Sequence, residues 1–163
     1  RHFVDTIRES GSDTSVIARV PHSSGLLNEQ VTPDTVLEDG DHRSHRPKEW
    51  YETGWEKVEA IRFLETPDHG EGTRTMAQAA IRWLLAHDEV ASVTPTFRDG
   101  DDIAEWSAAS DVPPISDAEY DRLEDLYARN FDIDGDDGMD VLRTSVDGDD
   151  IEAADLDKQA ASY

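Results

Sequence analysis

Arg98 is the side chain best placed for chemistry in this chain of 163 residues. It stands in the loop Thr94-Pro95-Thr96-Phe97-Arg98, between the apolar run Glu89–Val93 and a helical stretch through Ile103, Glu105 and Trp106. Pro95 lacks the N–H that a central strand donates, so the strand must end at this loop. Asp101 or Asp102 is the expected cap of the helix that follows. A strand opening directly into a helix leaves free backbone N–H groups at its tip, where an anion sits readily. A guanidinium beside them is a planar, permanently charged fork suited to a phosphate. The competing role is a surface ion pair, since 38 acidic residues surround 15 basic ones.

A second loop has the composition to admit a ligand. Ser15–Val20 is an apolar, β-branched run stopped by Pro21, which reads as a buried strand. Its exit, Pro21-His22-Ser23-Ser24-Gly25-Leu26-Leu27, carries small residues that let a ligand approach the backbone. Other constellations are weaker. Asp39, Asp41, His42 and His45 offer metal-ligand types, but Arg43 and Arg46 are interleaved and repel a cation, so a solvated loop explains them better. Asp132–Gly138 looks like a calcium loop, yet its sixth and twelfth positions are Asp137 and Arg143, where glycine and glutamate are needed. His22 with Ser23 lacks the G-x-S-x-G setting of a nucleophilic serine. Trp50, Trp55 and Trp83 read as packing residues, two of them on apolar helical faces.

The elements that must position these loops follow from periodicity. Phe3, Val4 and Ile7 share a helical face that ends at Gly11. Asn28 to Pro47 is polar and irregular, a length that in compact proteins is functional or mobile. Pro47 opens a helix expected to run to Leu64, with Trp50, Val58, Ile61 and Leu64 inward. Thr75 with Gln78, and Ser116 with Glu119, have capping-box spacing. The first box opens a helix of Met76, Ala79, Ala80, Trp83 and Leu84; the second opens one burying Leu123, Leu126 and Tyr127, stapled by Ile115 and Tyr120. Strands separated by helices imply parallel β/α units, so the fold class is α/β. Two such strands leave unpaired edges, which points to part of a larger β/α fold. The chain also opens on Arg1-His2-Phe3, already helical and without an initiator Met, as if entered in its middle.

Charge sets limits on partners. A formal net charge of -23 has the wrong sign for a nucleic-acid partner. Lys48, Lys57 and Lys158 are the only lysines, and this acidic, lysine-poor composition fits a surface working in salt-rich cytoplasm, where ions screen the self-repulsion. No cysteine is present, which excludes disulfides and thiolate metal sites. No membrane-spanning run or signal peptide is found, so a cytoplasmic location and no membrane partner are expected. The Asp- and Gly-rich stretch 131–163 is read as an acidic, solvated tail after a domain over 1–130.

Several stretches resemble the NAD(P)-dependent aldo/keto reductases. They are SVIARVPHSSGLL (Ser15–Leu27), DHRSHRP with Trp50 and Val58–Leu64, RTMAQAAIRWLLAHDEVASVTP (Arg74–Pro95), and PPISDAEYDRLEDLY (Pro113–Tyr127). The resemblance implies the C-terminal portion of a (β/α)8 TIM barrel, with the two strands as its seventh and eighth. In the family the strand-seven exit is similar to S-P-L-x-x-G-x-L and lies along the cofactor pyrophosphate. Pro21, Gly25 and Leu27 match, with Val20 and His22 replacing serine and leucine. The strand-eight loop is similar to I-P-G-x-R-S-x-x-Q-x-x-E-N and meets the adenosine and its 2′-phosphate. Pro95, Arg98 and Glu105 match, whereas Thr94, Thr96, Asp102 and Trp106 replace isoleucine, glycine, glutamine and asparagine.

The resemblance therefore implies a cofactor site built from Pro21, Gly25, Leu27, Pro95, Arg98 and Glu105, with NADP favoured over NAD through Arg98. A small carbonyl compound is the implied substrate of the complete enzyme. The family's catalytic Asp, Tyr, Lys and His belong to early strands with no counterpart here, so no catalytic residue is assigned and the chain alone is expected to be inactive. Tyr51, Tyr120, Tyr127 and Tyr163 fall in helices or the tail. The missing N-terminal half is the implied partner. The alternative is a non-catalytic remnant or acidic interaction module.

Overall fold

Alternating strands and helices arrange in the order α1 (His2–Ser10), β1 (Val16–Arg19), α2 (Lys48–Ala60), α3 (Met76–Leu85), β2 (Val90–Thr94), α4 (Gly100–Ser107) and α5 (Asp117–Ala128). This is a computed structural model, and it describes residues 2–46, 48–69 and 72–133. The stretch read as an acidic tail falls, from residue 134 onward, outside the described residues.

β1 and β2 pair in parallel, as the alternation predicts, with Ile17 opposite Ser92, Ala18 opposite Val93 and Arg19 opposite Thr94. An irregularity between Val16 and Ile17 lets Val16 face Val90. The ends differ from expectation by one residue. β1 stops at Arg19 because Val20 turns to φ 52, a left-handed conformation that a β-branched residue rarely adopts. β2 begins at Val90 and extends through Thr94.

The strands are also less buried than an apolar reading requires. Val90 is buried and Val16, Ala18 and Val93 are half-buried, but Ile17 is 65% exposed. The physical reason is that helices cover one face of this sheet, and the pleat sends alternate side chains to the other. Ile17, Arg19, Ser92 and Thr94 make up that open face.

Two apolar clusters meet on α3. Met76 and Ala79 join Leu26, Val31, Tyr51, Val58 and Leu64, with Trp50, Ile61, Ile115 and Leu123 packed around them. Ala77 and Ile81 join Trp106, Ala109 and Val93 beside the sheet. Small side chains on α3 are what allow both neighbours to come close. Leu26 and Val31 belong to the irregular segment after β1, which is anchored in the core rather than solvated throughout. Burying each such side chain stabilises by roughly 1.5–3 kcal/mol.

Both capping boxes form as the spacing predicts, at Thr75–Gln78 and Ser116–Glu119. Gly11 takes φ 62 at the end of α1, the left-handed cap expected of it. The helix expected to reach Leu64 instead ends at Ala60 and continues as a tighter turn over Arg62–Glu65. Arg62 fixes that turn by ion pairs to Glu29, Glu59 and Glu65. The α4 cap is a second correction: Asp99, not Asp101 or Asp102, accepts from the backbone N–H groups of Asp101 and Asp102. Among the described residues no helix is long and apolar enough to cross a membrane.

Candidate functional site

The loops leaving β1 and β2 depart from the same end of the parallel pair, the C-terminal end, where β/α proteins bind ligands. The first loop is sharply folded. Ser23 and Ser24 join Val20 in the left-handed region, and Gly25 follows at φ 100. Pro21, His22, Gly25 and Leu26 are buried and Leu27 is half-buried against the core. Gly25 does more than expose backbone to a ligand. A side chain there would meet Val31 Cγ2 at 3.0 Å and Arg43 Nη1 at 3.2 Å, so its open side is already filled by this chain.

The second loop holds Arg98 in a tight pair. Arg98 Nε donates to Asp102 Oδ2 at 3.0 Å and Nη2 donates to Oδ1 at 3.1 Å, while the Arg98 backbone N–H donates to Oδ2 at 2.9 Å. The Asp102 side chain is 9% exposed and that of Arg98 61%. These hydrogen bonds from Arg98 hold the Asp102 carboxyl below the usual carboxylate range, so it stays ionised. With the Gln30 amide turned so that its oxygen faces donors, that oxygen also accepts from Arg98 Nε at 2.9 Å and Nη2 at 3.0 Å. Gln30 thereby ties the first loop to the second.

A further join is aromatic. The His22 and Trp106 rings lie 4.6 Å apart, centroid to centroid, both side chains buried. Burial depresses the His22 pKa, opposed by a hydrogen bond to the Ala77 backbone and by the charges of Glu105 and Asp102. His22 Nε2 and Trp106 Nε1 are both buried without a hydrogen-bond partner. His22 and Trp106 are two of the positions that depart from the family pattern, and they pack on each other.

Glu105 is engaged with α3 rather than with Arg98. Its Oε1 accepts from the Thr75 hydroxyl at 2.6 Å, and its backbone carbonyl accepts from Gln78 Nε2 at 3.0 Å. The two residues that cap α3 thus also hold α4. Pro95 is half-buried beyond β2, followed by exposed Thr96 and Phe97. Of the six residues expected at the site, Pro21 and Gly25 share the first loop's buried turn, and Arg98 reaches that loop through Gln30. Leu27 faces the core and Glu105 faces α3.

Sequence reasoning passed over Gln30 and took Arg43 only as a charge that repels a cation. Arg43 lies beside Gly25, is bound by Asp41 through Nη2 to Oδ2 at 2.6 Å, and feels the Arg98 charge as a repulsion. A surface ion pair for Arg98 was the competing expectation, but Asp102 was read as a helix cap and not as its partner. The Gln30 and Arg43 contacts join residues far apart in the chain and leave no local signal.

The other candidates resolve differently. Asp41, from the cluster with metal-ligand residue types, caps the short turn His42–His45 and pairs with Arg43. The calcium-like stretch lies outside the described residues from Asp134 onward. Asp68, His69 and Glu119 bring ligand atoms within 4.8 Å of one another. The Glu119 oxygens are already taken by Arg74 and by the Ser116 backbone N–H, so a cation there would have to displace a buried guanidinium. Tyr51 lies on α2, donates to the Arg43 carbonyl, and has its phenol pKa raised by burial. Tyr120 and Tyr127 lie on α5, and Tyr163 is outside the described residues.

A family model described as the Aldo/keto reductase family matches residues 1–128. No curated protein and no solved structure matches the chain.

Proposed function

Because the chain belongs to the aldo/keto reductase family, we propose that it contributes the cofactor-binding loops of an NAD(P)H-dependent carbonyl reductase. The observation that carries this reading is the convergence of the β1 and β2 exit loops through Gln30–Arg98 and His22–Trp106 at one end of a parallel pair. The open sheet face and, among the described residues, the two unpaired strand edges support the further reading that these are the last two units of a (β/α)8 barrel. The early strands that complete the barrel would come from an N-terminal partner segment, and the acidic, lysine-poor surface suits a salt-rich cytoplasm.

When bound, a nicotinamide cofactor would supply the hydride for a carbonyl carbon, and an acid would be needed to protonate the oxygen. The loops described here bind and orient the adenosine end. The family resemblance sets Arg98 against a 2′-phosphate, which is the reason for favouring NADP, and the Asp102 pair on that guanidinium acts against it. The proton donor belongs to the early strands, and none of Tyr51, Tyr120 and Tyr127 lies at the strand tips.

Titrating the purified chain with NADPH, followed by nicotinamide fluorescence, and assaying carbonyl reduction tests this. The expected result is cofactor binding without turnover, and turnover once a polypeptide carrying the early strands is supplied. Turnover by this chain alone would overturn the reading. A second reading, an acidic interaction module or non-catalytic remnant, is favoured by the satisfied state of Arg98. Circular dichroism against KCl separates them: cooperative salt-induced folding with no response to NADPH supports the module.

A further inference from the structure

Arg98 offers two parallel N–H groups, Nε and Nη2, along one edge of its fork. That edge is one of the two a phosphate can grip, and Asp102 holds it in bidentate fashion while accepting the Arg98 backbone N–H as well. Asp99, not Asp102, caps α4, which leaves the Asp102 carboxylate to hold Arg98. The Gln30 oxygen lies against the same edge. Asp99 adds a second carboxylate whose charge acts on Arg98, so one guanidinium faces two carboxylates and the turn is net anionic.

We propose that Asp102 determines cofactor specificity at the strand tips: by occupying the Arg98 fork it selects a nucleotide whose adenosine ribose carries free hydroxyls over one carrying a phosphate. The inference rests on the reading that these loops hold a dinucleotide. A ribose phosphate on the Nε–Nη2 edge must break the Asp102 bonds, and one on the Nη1 end meets a guanidinium already neutralised by Asp102 beside a second carboxylate, Asp99. A ribose with free hydroxyls is met by acceptors that suit it, since hydroxyls donate to carboxylate and amide oxygens. Arg98 thus reads as a phosphate residue in the sequence and is a counter-ion in the structure.

The test is isothermal titration of the full chain, and of Asp102→Ala and Asp102→Asn, with adenosine 2′,5′-bisphosphate and adenosine 5′-monophosphate. In the unaltered chain the monophosphate should bind more tightly than the bisphosphate, by about threefold or more. Removing the carboxylate should tighten the bisphosphate by about tenfold, the scale of one charge-assisted contact, and move the monophosphate by less than about twofold. Adding Arg98→Gln to Asp102→Ala should erase the gain. Asp102→Asn keeps the side-chain volume and the Asp99 cap, so it reports in the same direction if Asp102→Ala folds poorly. Monophosphate binding with no bisphosphate gain in either variant overturns the role of Asp102 and leaves the cofactor reading standing, as does an unaltered chain that already favours the bisphosphate by tenfold. Binding of neither nucleotide to any variant overturns both.

Discussion

Two arginine–carboxylate pairs of the same chemistry serve opposite purposes here. Arg74 and Glu119 are both buried, with side chains 0% and 3% exposed, whereas Arg98 is 61% exposed beside Asp102. Arg74 Nε donates to the Leu64 carbonyl at 2.7 Å, Nη1 donates to those of Pro113 and Pro114 at 3.2 and 2.7 Å, and Nη2 donates to Glu119. One guanidinium thereby joins the turn after α2, the entry to α3 and the start of α5. Arg98 joins its own loop to the next turn and reaches Gln30 across the gap. Burial makes the first pair irreplaceable, because any vacated partner is stranded away from water. Water makes the second exchangeable, since the exposed Arg98 guanidinium can be rehydrated. The first pair is architecture, and the second can answer to a ligand.

Breaking the buried pair gives the largest expected effect. Arg74→Gln leaves Glu119 charged and buried and deprives three carbonyls of their donor. It should cost about 3–5 kcal/mol, the usual range for removing one partner of a buried ion pair. Urea unfolding followed by circular dichroism measures it. A loss below about 1 kcal/mol would mean that water reaches Glu119 and that the contrast between the pairs is one of degree.

Next in size is the cap that couples the two regions. The Thr75 hydroxyl accepts from the Gln78 N–H and donates to Glu105, so it serves both α3 and α4. Thr75→Ala should cost about 1–2 kcal/mol, the upper part of the range for losing an N-cap. Glu105→Gln, which keeps an acceptor for the hydroxyl, should cost distinctly less in the same unfolding assay. Equal losses would assign the whole effect to the Glu105 carboxylate and none to the cap.

How far the sequence revealed these regions depends on the range of the interactions. Capping boxes at Thr75 and Ser116, the glycine end of α1 and the parallel order of the strands are local or periodic features, and all are present. The Arg74–Glu119 pair spans 45 positions and had no local signature; Glu119 was legible only as a cap. At the strand tips the residue types were legible and their partners were not. Val20 was expected to continue the strand, and instead turns left-handed to admit the buried Pro21–His22 step. His22 and Trp106 each looked like a defect against the family pattern. Together they are a packed pair, because each supplies the ring that the other covers.

That pair predicts a modest pH dependence. Burial holds the His22 pKa below its ordinary value of 6.5, although Glu105, Asp102 and the Ala77 backbone act in the other direction. Between the two values the unfolded chain binds a proton that the folded chain refuses. Stability should therefore fall as pH drops below about 6.5 and stop falling on this account below the folded-state pKa. Comparing urea midpoints at about pH 7 and about pH 5.5, His22→Phe should show a smaller decline than the unaltered chain. An identical decline in both would place His22 in contact with water.

Arg98→Gln should have the smallest effect on stability, and for that reason it is the sharpest test of the contrast. The guanidinium is more than half exposed, so water replaces its contacts, and Asp102 at the start of α4 keeps the favourable helix-end field when its partner is removed. The urea midpoint should move several-fold less than for Arg74→Gln. Asp102, relieved of its partner, should titrate at a higher pH, since the Arg98 side chain is the largest cause of its lowered pKa and the Arg98 backbone N–H remains. Carboxyl-carbon NMR of Asp102 reads that shift directly. A large loss of stability from Arg98→Gln would make this pair architecture as well, binding the strand-tip loops to each other and leaving no exchangeable cation at the end of the sheet.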